Sequence, residues 1–492
     1  MRPVFGLALA SMDTPPVLAS ALATRKPITA ILAQEEDHEA SSRGLTRSLS
    51  ALSLVCIGVG GTIGAGIFVL TGTAAAQFAG PGLALSFILA GIASGLVGLC
   101  YAELAAMIPV AGSTYTYTYA TLGSLAAWII GWDLVLEFAM AASTVAVGWS
   151  GYAQSLAADF GLRLPPSLAS APGRGGIVDL PAAAITCGLT LLLMREARDA
   201  AMSNAILVAL KVAIILSFVV VGGIHVKPEL WSPLVPPNEG AFGAFGWSGI
   251  LRGAGVVFFA YIGFETVSCA AAETRHPQRD APIGLIGALV VSTVLYVAVA
   301  IVLTGLVPFK ALNVPDPIAK AVDTLGLDAF GLLIKVGALI GLTTACLTAL
   351  YGQGRILYAM ARDRMLPDIF ARLDPVTRAP RIGQVTIGLV TATVAALVPI
   401  EVLGELVSIG TLFAFILVCS AVLILRRTDP ERTRPFRVPG GKVLPVLGIL
   451  ACLALMVGLP GDTWIRLVAW LVLGLAIFLG YGRRRLRAPA AQ

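Results

Sequence analysis

Twelve stretches of this chain run for 18 to 29 residues with few charges, at 50–73, 82–108, 122–150, 177–194, 200–223, 248–271, 282–306, 328–353, 382–399, 402–425, 443–460 and 463–481. A bilayer crossing takes roughly 20 largely apolar residues, so runs this long and this numerous read as membrane spans rather than buried helices of a soluble core. The turn at Pro399-Ile400-Glu401 and the joint "GLPGDTW", Gly458 to Trp464, each divide two neighbouring runs. Strict alternation of apolar and polar residues, the mark of a membrane barrel, is absent. Lipid offers the backbone no hydrogen-bond partner, which leaves helices as the spanning element. Only 13% of the 492 residues are charged, about half the share of a soluble domain, and the mean hydropathy is +0.87. The fold class that follows is an all-α polytopic membrane protein of about twelve spans.

Lysine and arginine concentrate in short cytoplasmic loops, and this sets an orientation. With the N-terminus inside, 25 of the 34 fall on the cytoplasmic side and 5 opposite, which puts both termini in the cytoplasm of a plasma membrane, the bacterial inner membrane. The net charge of +6 is thereby a product of topology and gives no reason to expect nucleic acid as a partner. The seven cysteines all lie in apolar runs without CxxC spacing, so they read as small buried hydrophobes, and no metal site is expected. Residues 1–42 hold a Pro/Ala-rich stretch and then "QEEDHEA", and read as a flexible cytoplasmic tail.

Two runs carry chemistry that loosens a helix. "VGGTIGAGIFVLTG", Val59 to Gly72, holds five glycines, four of them between Gly60 and Gly66; "GAGVVFFAYIGFETVSCAAAE", Gly253 to Glu273, is the second. Glycine costs a helix about 1 kcal/mol relative to alanine. These are runs one and six, the first members of two five-span halves of opposite direction, and paired glycine-interrupted spans point to a transporter built from inverted repeats. Unwound backbone survives in a membrane only where it lines a protein cavity. There the N–H groups opening a half-helix can hold a carboxylate, and carbonyls closing its partner can hold an ammonium. Close helix packing through small residues such as Gly60 and Gly64 accounts for the glycines equally.

The ordered motifs "GVGGTIGAGIFVLTG", "PVAGSTYTYTY", "GWDLVLEF", "FFAYIGFE" with "AAETRHPQRDAPIG", and "YGQGRILYAMARDRMLP" resemble those of the amino acid-polyamine-organocation transporters, in particular the twelve-span bacterial members of the cationic amino acid transporter branch. The resemblance covers about residues 43–480. It implies two inverted five-helix repeats with broken helices one and six, at 43–223 and 224–426, then two further helices in 427–492, and amino acid transport by alternating access. It implies no cofactor. By the same resemblance, the backbone of Thr62, Ile63, Gly64, Ala65 and Gly66 would receive the substrate carboxylate, and Ala65 lacks the hydroxyl that many relatives carry there. Phe259, Ala260, Tyr261 and Ile262 would turn carbonyls toward the amino group, with Phe259 covering the substrate from outside. Thr343 and Thr344 in run eight would form the opposite wall, although threonine hydroxyls in such helices also bond their own backbone.

Three ionisable residues stand out as coupling candidates. Glu265 follows the second break, where an acid also serves as a cap. Glu137 lies deep in run three, where a charge is costly unless paired or hydrated; proton handling and a structural hydrogen bond are both open. Asp133 is nearer the start of that run and is expected to be better solvated. Lys211 sits mid-run, roughly 15 Å from either end, while its side chain reaches about 6 Å. Groups inside must meet it, or it must be neutral. In sodium-coupled relatives a cation bridges carbonyls of spans one and eight, and Lys211 resembles a built-in replacement for it, which implies proton-coupled, sodium-independent transport; a static salt bridge is the alternative. Lys335, close to the outer end of run eight, can snorkel and is expected to be structural.

The three histidines fall in tail or loops, and HExxH, GxSxG and CxxC are missing, so the chain is not expected to be an enzyme. Nothing resembles the charged rings of a channel. No GxxxxGK[ST] is present to bind the phosphates of ATP. A polyamine or nucleobase, or amino acid exchange, fits the same fold, and a small single-span partner subunit is compatible with it.

Overall fold

The computed structural model describes residues 25–29, 31, 49–109, 113–194, 200–374 and 380–482. Among them no strand occurs, only isolated bridges joining Leu49 to Thr274 and Ala169 to Asp179. The helices of ten residues or more are α1 (Ala51–Thr62), α2 (Leu83–Met107), α3 (Ser113–Leu122), α4 (Ser124–Asp159), α5 (Leu180–Leu193), α6 (Ala200–Ile224), α7 (Gly246–Val257), α8 (Pro277–Leu306), α9 (Asp328–Arg362), α10 (Arg381–Leu397), α11 (Ile400–Thr428), α12 (Val443–Gly458) and α13 (Gly461–Ile477). Each of the twelve apolar runs is helical. Eight helical stretches are long and apolar enough to cross a membrane, while α1, α5, α10 and α12 are apolar but shorter. The chain is a multi-pass helical membrane protein.

Local sequence explains where these helices start and stop. Ser50 caps α1 by accepting the N–H of Ser53, and Asp179 caps α5 by accepting that of Ala182, each satisfying a donor the helix leaves open. Proline opens α8 at Pro277, where no N–H is needed. Helix α4 packs along α9 and against α11, and α8 packs along α2 and α1. Polarity is arranged inside out. Thr62, Ser292, Ser143 and Lys211 are buried, whereas Leu192, Val220, Ile224, Leu389, Val457 and Val472 point outward, as helices facing lipid require. Tyr101, Phe258, Phe264 and Phe415 meet edge to face at 5.4 to 5.7 Å between centroids, clamping α2, the sixth run and α11 together.

Part of the expected flexible tail is docked. Ile28 and Ile31 are buried, and Lys26 Nζ lies 3.3 Å from Asp363 Oδ1, an oxygen pair whose other member accepts the Tyr115 hydroxyl at 2.9 Å. Two isoleucines three residues apart give this stretch an apolar face to bury. The rest of 1–42 lies outside the described residues.

Candidate functional site

The first run breaks after Thr62. Ile63 turns to an extended conformation at φ −75°, ψ 98°, and Gly64 stays outside the helix. Its carbonyl then accepts the N–H groups of Ile67 at 3.3 Å and Phe68 at 3.2 Å, which makes it the start of a second half-helix. That half is wound loosely, with π-helical turns at Gly66–Leu70 and Ala75–Ala79 around one α-turn, Thr71–Ala74. The start of a helix leaves N–H groups without intrahelical partners, so the chain presents donors at Ala65 and Gly66.

The sixth run breaks later than its motif suggests. Phe258–Tyr261 continue α7 as a 3₁₀ turn, and the chain leaves the helix at Ile262 and Gly263. Gly263 has φ +109°, a conformation that side chains resist, so glycine is required there. Glu265 reaches back to accept the Gly263 N–H at 2.9 Å before the short helix Thr266–Cys269 begins. Of the four residues expected at this break, Ile262 is at it; Phe259, Ala260 and Tyr261 precede it. Two of these are engaged, for the Ala260 carbonyl accepts the Tyr296 hydroxyl at 2.9 Å and the Tyr261 hydroxyl donates to the Phe87 carbonyl at 2.8 Å.

The two breaks face each other at backbone distance. A Cβ on Gly66 would land on the backbone of Ala260, and one on Gly263 would land on the Gly61 carbonyl oxygen. Gly64 is less enclosed, with only Ala345 Cβ at 3.3 Å from where its own Cβ would be. Ala345 on α9 is thus the neighbour opposite the carboxylate candidate. Thr343 and Thr344 beside it donate to the carbonyls of Leu339 and Gly341, and Thr343 also accepts the Trp149 indole N–H at 3.0 Å. On the other side, the Thr62 hydroxyl lies 2.8 Å from that of Ser292. Ser292, Tyr296 and Ala345 were not singled out from sequence. The first two lie four residues apart on apolar α8, a spacing that puts both on one helix face and was legible in principle.

Lys211 reaches this core from α6. Its Nζ donates to the carbonyls of Ile63 at 3.3 Å and Gly60 at 3.4 Å, on the very turn that the break leaves open. Its stem runs beside Gly341 of α9, where a Cβ would sit 3.5 Å from Lys211 Cγ. No carboxylate pairs with it among the described residues.

One expectation about charge is corrected. Asp133 is not better solvated than Glu137: it is 0% exposed against 3%, because α11 and its Gly410 close over it, and neither of its oxygens meets a donor among the described residues. Lys335 is 2% exposed and bonded to the exposed carboxylates of Asp159 at 2.8 Å and Asp323 at 3.2 Å. It therefore joins the end of α4 to the short helix Pro317–Asp323.

A cavity of about 680 Å³ opens at the far end of α4, lined among others by Gln154, Arg163, Arg174, Asp179 and Asp316. None of the residues proposed for substrate or coupling lines it. Burial raises the Asp316 carboxyl above the usual carboxylate range, against a hydrogen bond from Ser155 that lowers it. Groups of three or more metal-ligating side chains do not occur among the described residues.

The family model described as Amino acid permease matches residues 49–478. A methylthioribose transporter of Bacillus subtilis is 44% identical over 467 residues, 94% of this chain and 98% of its own. A branched-chain amino acid permease of the same organism is 42% identical over 90% of this chain and 94% of its own. A vacuolar cationic amino acid transporter 4 of Arabidopsis thaliana is 40% identical over 79% of this chain and 64% of its own.

Proposed function

Because the chain belongs to the amino acid permease family and is a transporter rather than an enzyme, we propose that it imports a neutral, apolar α-amino acid by alternating access between two inverted five-helix repeats, coupled to protons and independent of sodium. The observation that carries this reading is the Lys211 ammonium on the Gly60 and Ile63 carbonyls, where a fixed cation stands in the place of a dissociable one. The substrate carboxylate would lie on the N–H groups of Ala65 and Gly66, its ammonium on carbonyls near Phe259 and Ile262, and its side chain toward α9. The α9 side chain nearest the Gly64 position is the small, apolar Ala345, and α9 carries no acidic side chain beyond its first residue, Asp328, to receive a cationic one. This favours the class handled by the branched-chain relative over the cationic class.

A second reading is a methylthio-sugar, supported by the relative of that name and by Ala65, which withholds a hydroxyl from the carboxylate position. Uptake into proteoliposomes distinguishes them. Radiolabelled leucine should enter without sodium, faster under an inward proton gradient, and resist competition by methylthioribose. Strict sodium dependence would refute the argument from Lys211, and displacement of leucine by methylthioribose alone among many solutes would turn the assignment to the sugar.

A further inference from the structure

Two acids on α4 stand one helical turn apart with little to hold them. Asp133 is fully buried with both carboxylate oxygens unpartnered among the described residues, and Glu137, about 6 Å further along the helix, has Oε2 unpartnered. Neither belongs to any ion pair among the described residues. What faces them is α11. A Cβ on Gly410 would stand 3.2 Å from Asp133 Oδ1, the Thr411 hydroxyl lies beside Glu137, and Ser408 keeps a buried hydroxyl without a partner on the same helix. The other titratable groups at Glu137 are Glu265, from beyond the sixth-run break, and Tyr101 of α2, which also faces Glu265.

A carboxylate without donor or cation is not stable as an anion in such surroundings, so Asp133 must carry a proton or a cation for as long as α11 covers it, while Glu137 has the Thr411 hydroxyl beside it and one oxygen still unpartnered. Glu265, Glu137 and Asp133 then form a series. It begins at the broken helices and runs along α4 toward Ser124, the end that the arginine and lysine distribution assigns to the cytoplasm. We propose that Asp133 is a proton-binding residue that carries the coupling proton between Glu137 and the cytoplasm, an assignment that rests on the proton-coupled reading above. Once α11 and α4 part, the Asp133 O–H bond breaks and its proton departs to cytoplasmic water, leaving a hydrated carboxylate. Before α11 covers Asp133 again, the O–H bond of the Glu137 carboxyl breaks as one forms on an Asp133 oxygen by way of water, and Glu137 regains a proton from the side of Glu265, so that one proton crosses per cycle. No co-reactant other than water is required.

The full chain in proteoliposomes loaded with a pH-sensitive dye tests this, with leucine as the probe. Asp133→Asn should cut leucine-evoked proton entry at least tenfold, while leucine–leucine exchange falls less than threefold, and Asp133→Glu should recover most of the proton entry. Undiminished proton entry in Asp133→Asn overturns the proposal. So does equal loss of exchange and proton entry in both variants, which would mark a structural role. Leucine uptake that becomes less sensitive to sodium or lithium in Asp133→Asn overturns it in favour of a cation site. If the unaltered protein exchanges leucine with no proton entry at all, it is the coupling reading that fails, separately visible because the variants then have nothing to lose.

Discussion

The break in the first run and the break in the sixth look alike in sequence and are held in opposite ways. At the first, exposed carbonyls are met by a cation from far away, Lys211, 148 and 151 residues distant along the chain. At the sixth, an exposed N–H is met by an anion two residues away, Glu265. One break depends on the packing of α6 against it; the other carries its own cap. A site hinged on such a pair has one edge set by local backbone chemistry and one that can be released when a neighbouring helix moves.

Replacing the distant partner should have the largest effect. Lys211→Met removes charge-assisted bonds worth about 1.5–3 kcal/mol each and leaves two carbonyls buried, so gradient-driven leucine uptake should fall to background while the protein still inserts. Normal accumulation would mean the lysine is scaffolding and the asymmetry between the breaks has no bearing on transport. Next come the glycines between the breaks. Gly66→Leu drives side-chain atoms into the Ala260 backbone and should cost ~1–3 kcal/mol of stability as well as binding. Gly64→Leu, facing Ala345 only, should remove leucine binding and leave thermal unfolding in detergent nearly in place. Equal behaviour of the two would remove the distinction between a packed contact and an open carboxylate position.

Smaller effects are expected from the local cap. Glu265→Gln keeps an oxygen for the Gly263 N–H and should cost no more than about 1 kcal/mol by thermal unfolding, with Glu265→Ala costing up to ~2. Should Glu265→Gln abolish proton entry while stability holds, the residue is part of the coupling series as well as a cap. The smallest change is expected from Ala65→Ser, which returns a hydroxyl to the candidate carboxylate site. Leucine affinity should rise about threefold, within the ~0.5–1.5 kcal/mol of one added hydrogen bond, and isothermal titration would read it. A tenfold or larger gain would show that the N–H groups do less of the holding than supposed.

Much of this was legible in the chain. Each apolar run is helical, whereas α3, Ser113–Leu122, falls between two runs and was not read from them; the glycine clusters marked both breaks, since a helix announces its ends through residues within a turn of them. The sixth break was read at Phe259 to Ile262 and lies at the end of that stretch, at Ile262 and Gly263, because Phe258 to Tyr261 wind as a 3₁₀ turn and the φ of Gly263 fixes where the helix stops. Charges were read less well. Distance from the start of a run suggested that Asp133 would be wetter than Glu137, but solvation depends on what covers a residue, and that is Gly410 of α11, 277 positions away.

By itself the sequence determined that this chain lies in a membrane as helices, that two of them break, and that Lys211 must find polar company inside. Those conclusions follow from the cost of burying backbone and charge, which is paid locally whatever the fold. Only the tertiary structure decided which carbonyls the lysine meets, that Ala345, Ser292 and Tyr296 stand around the breaks, and that Asp133 is sealed beside Glu137. Such partners come from distant helices, and packing, not spacing along the chain, chooses them.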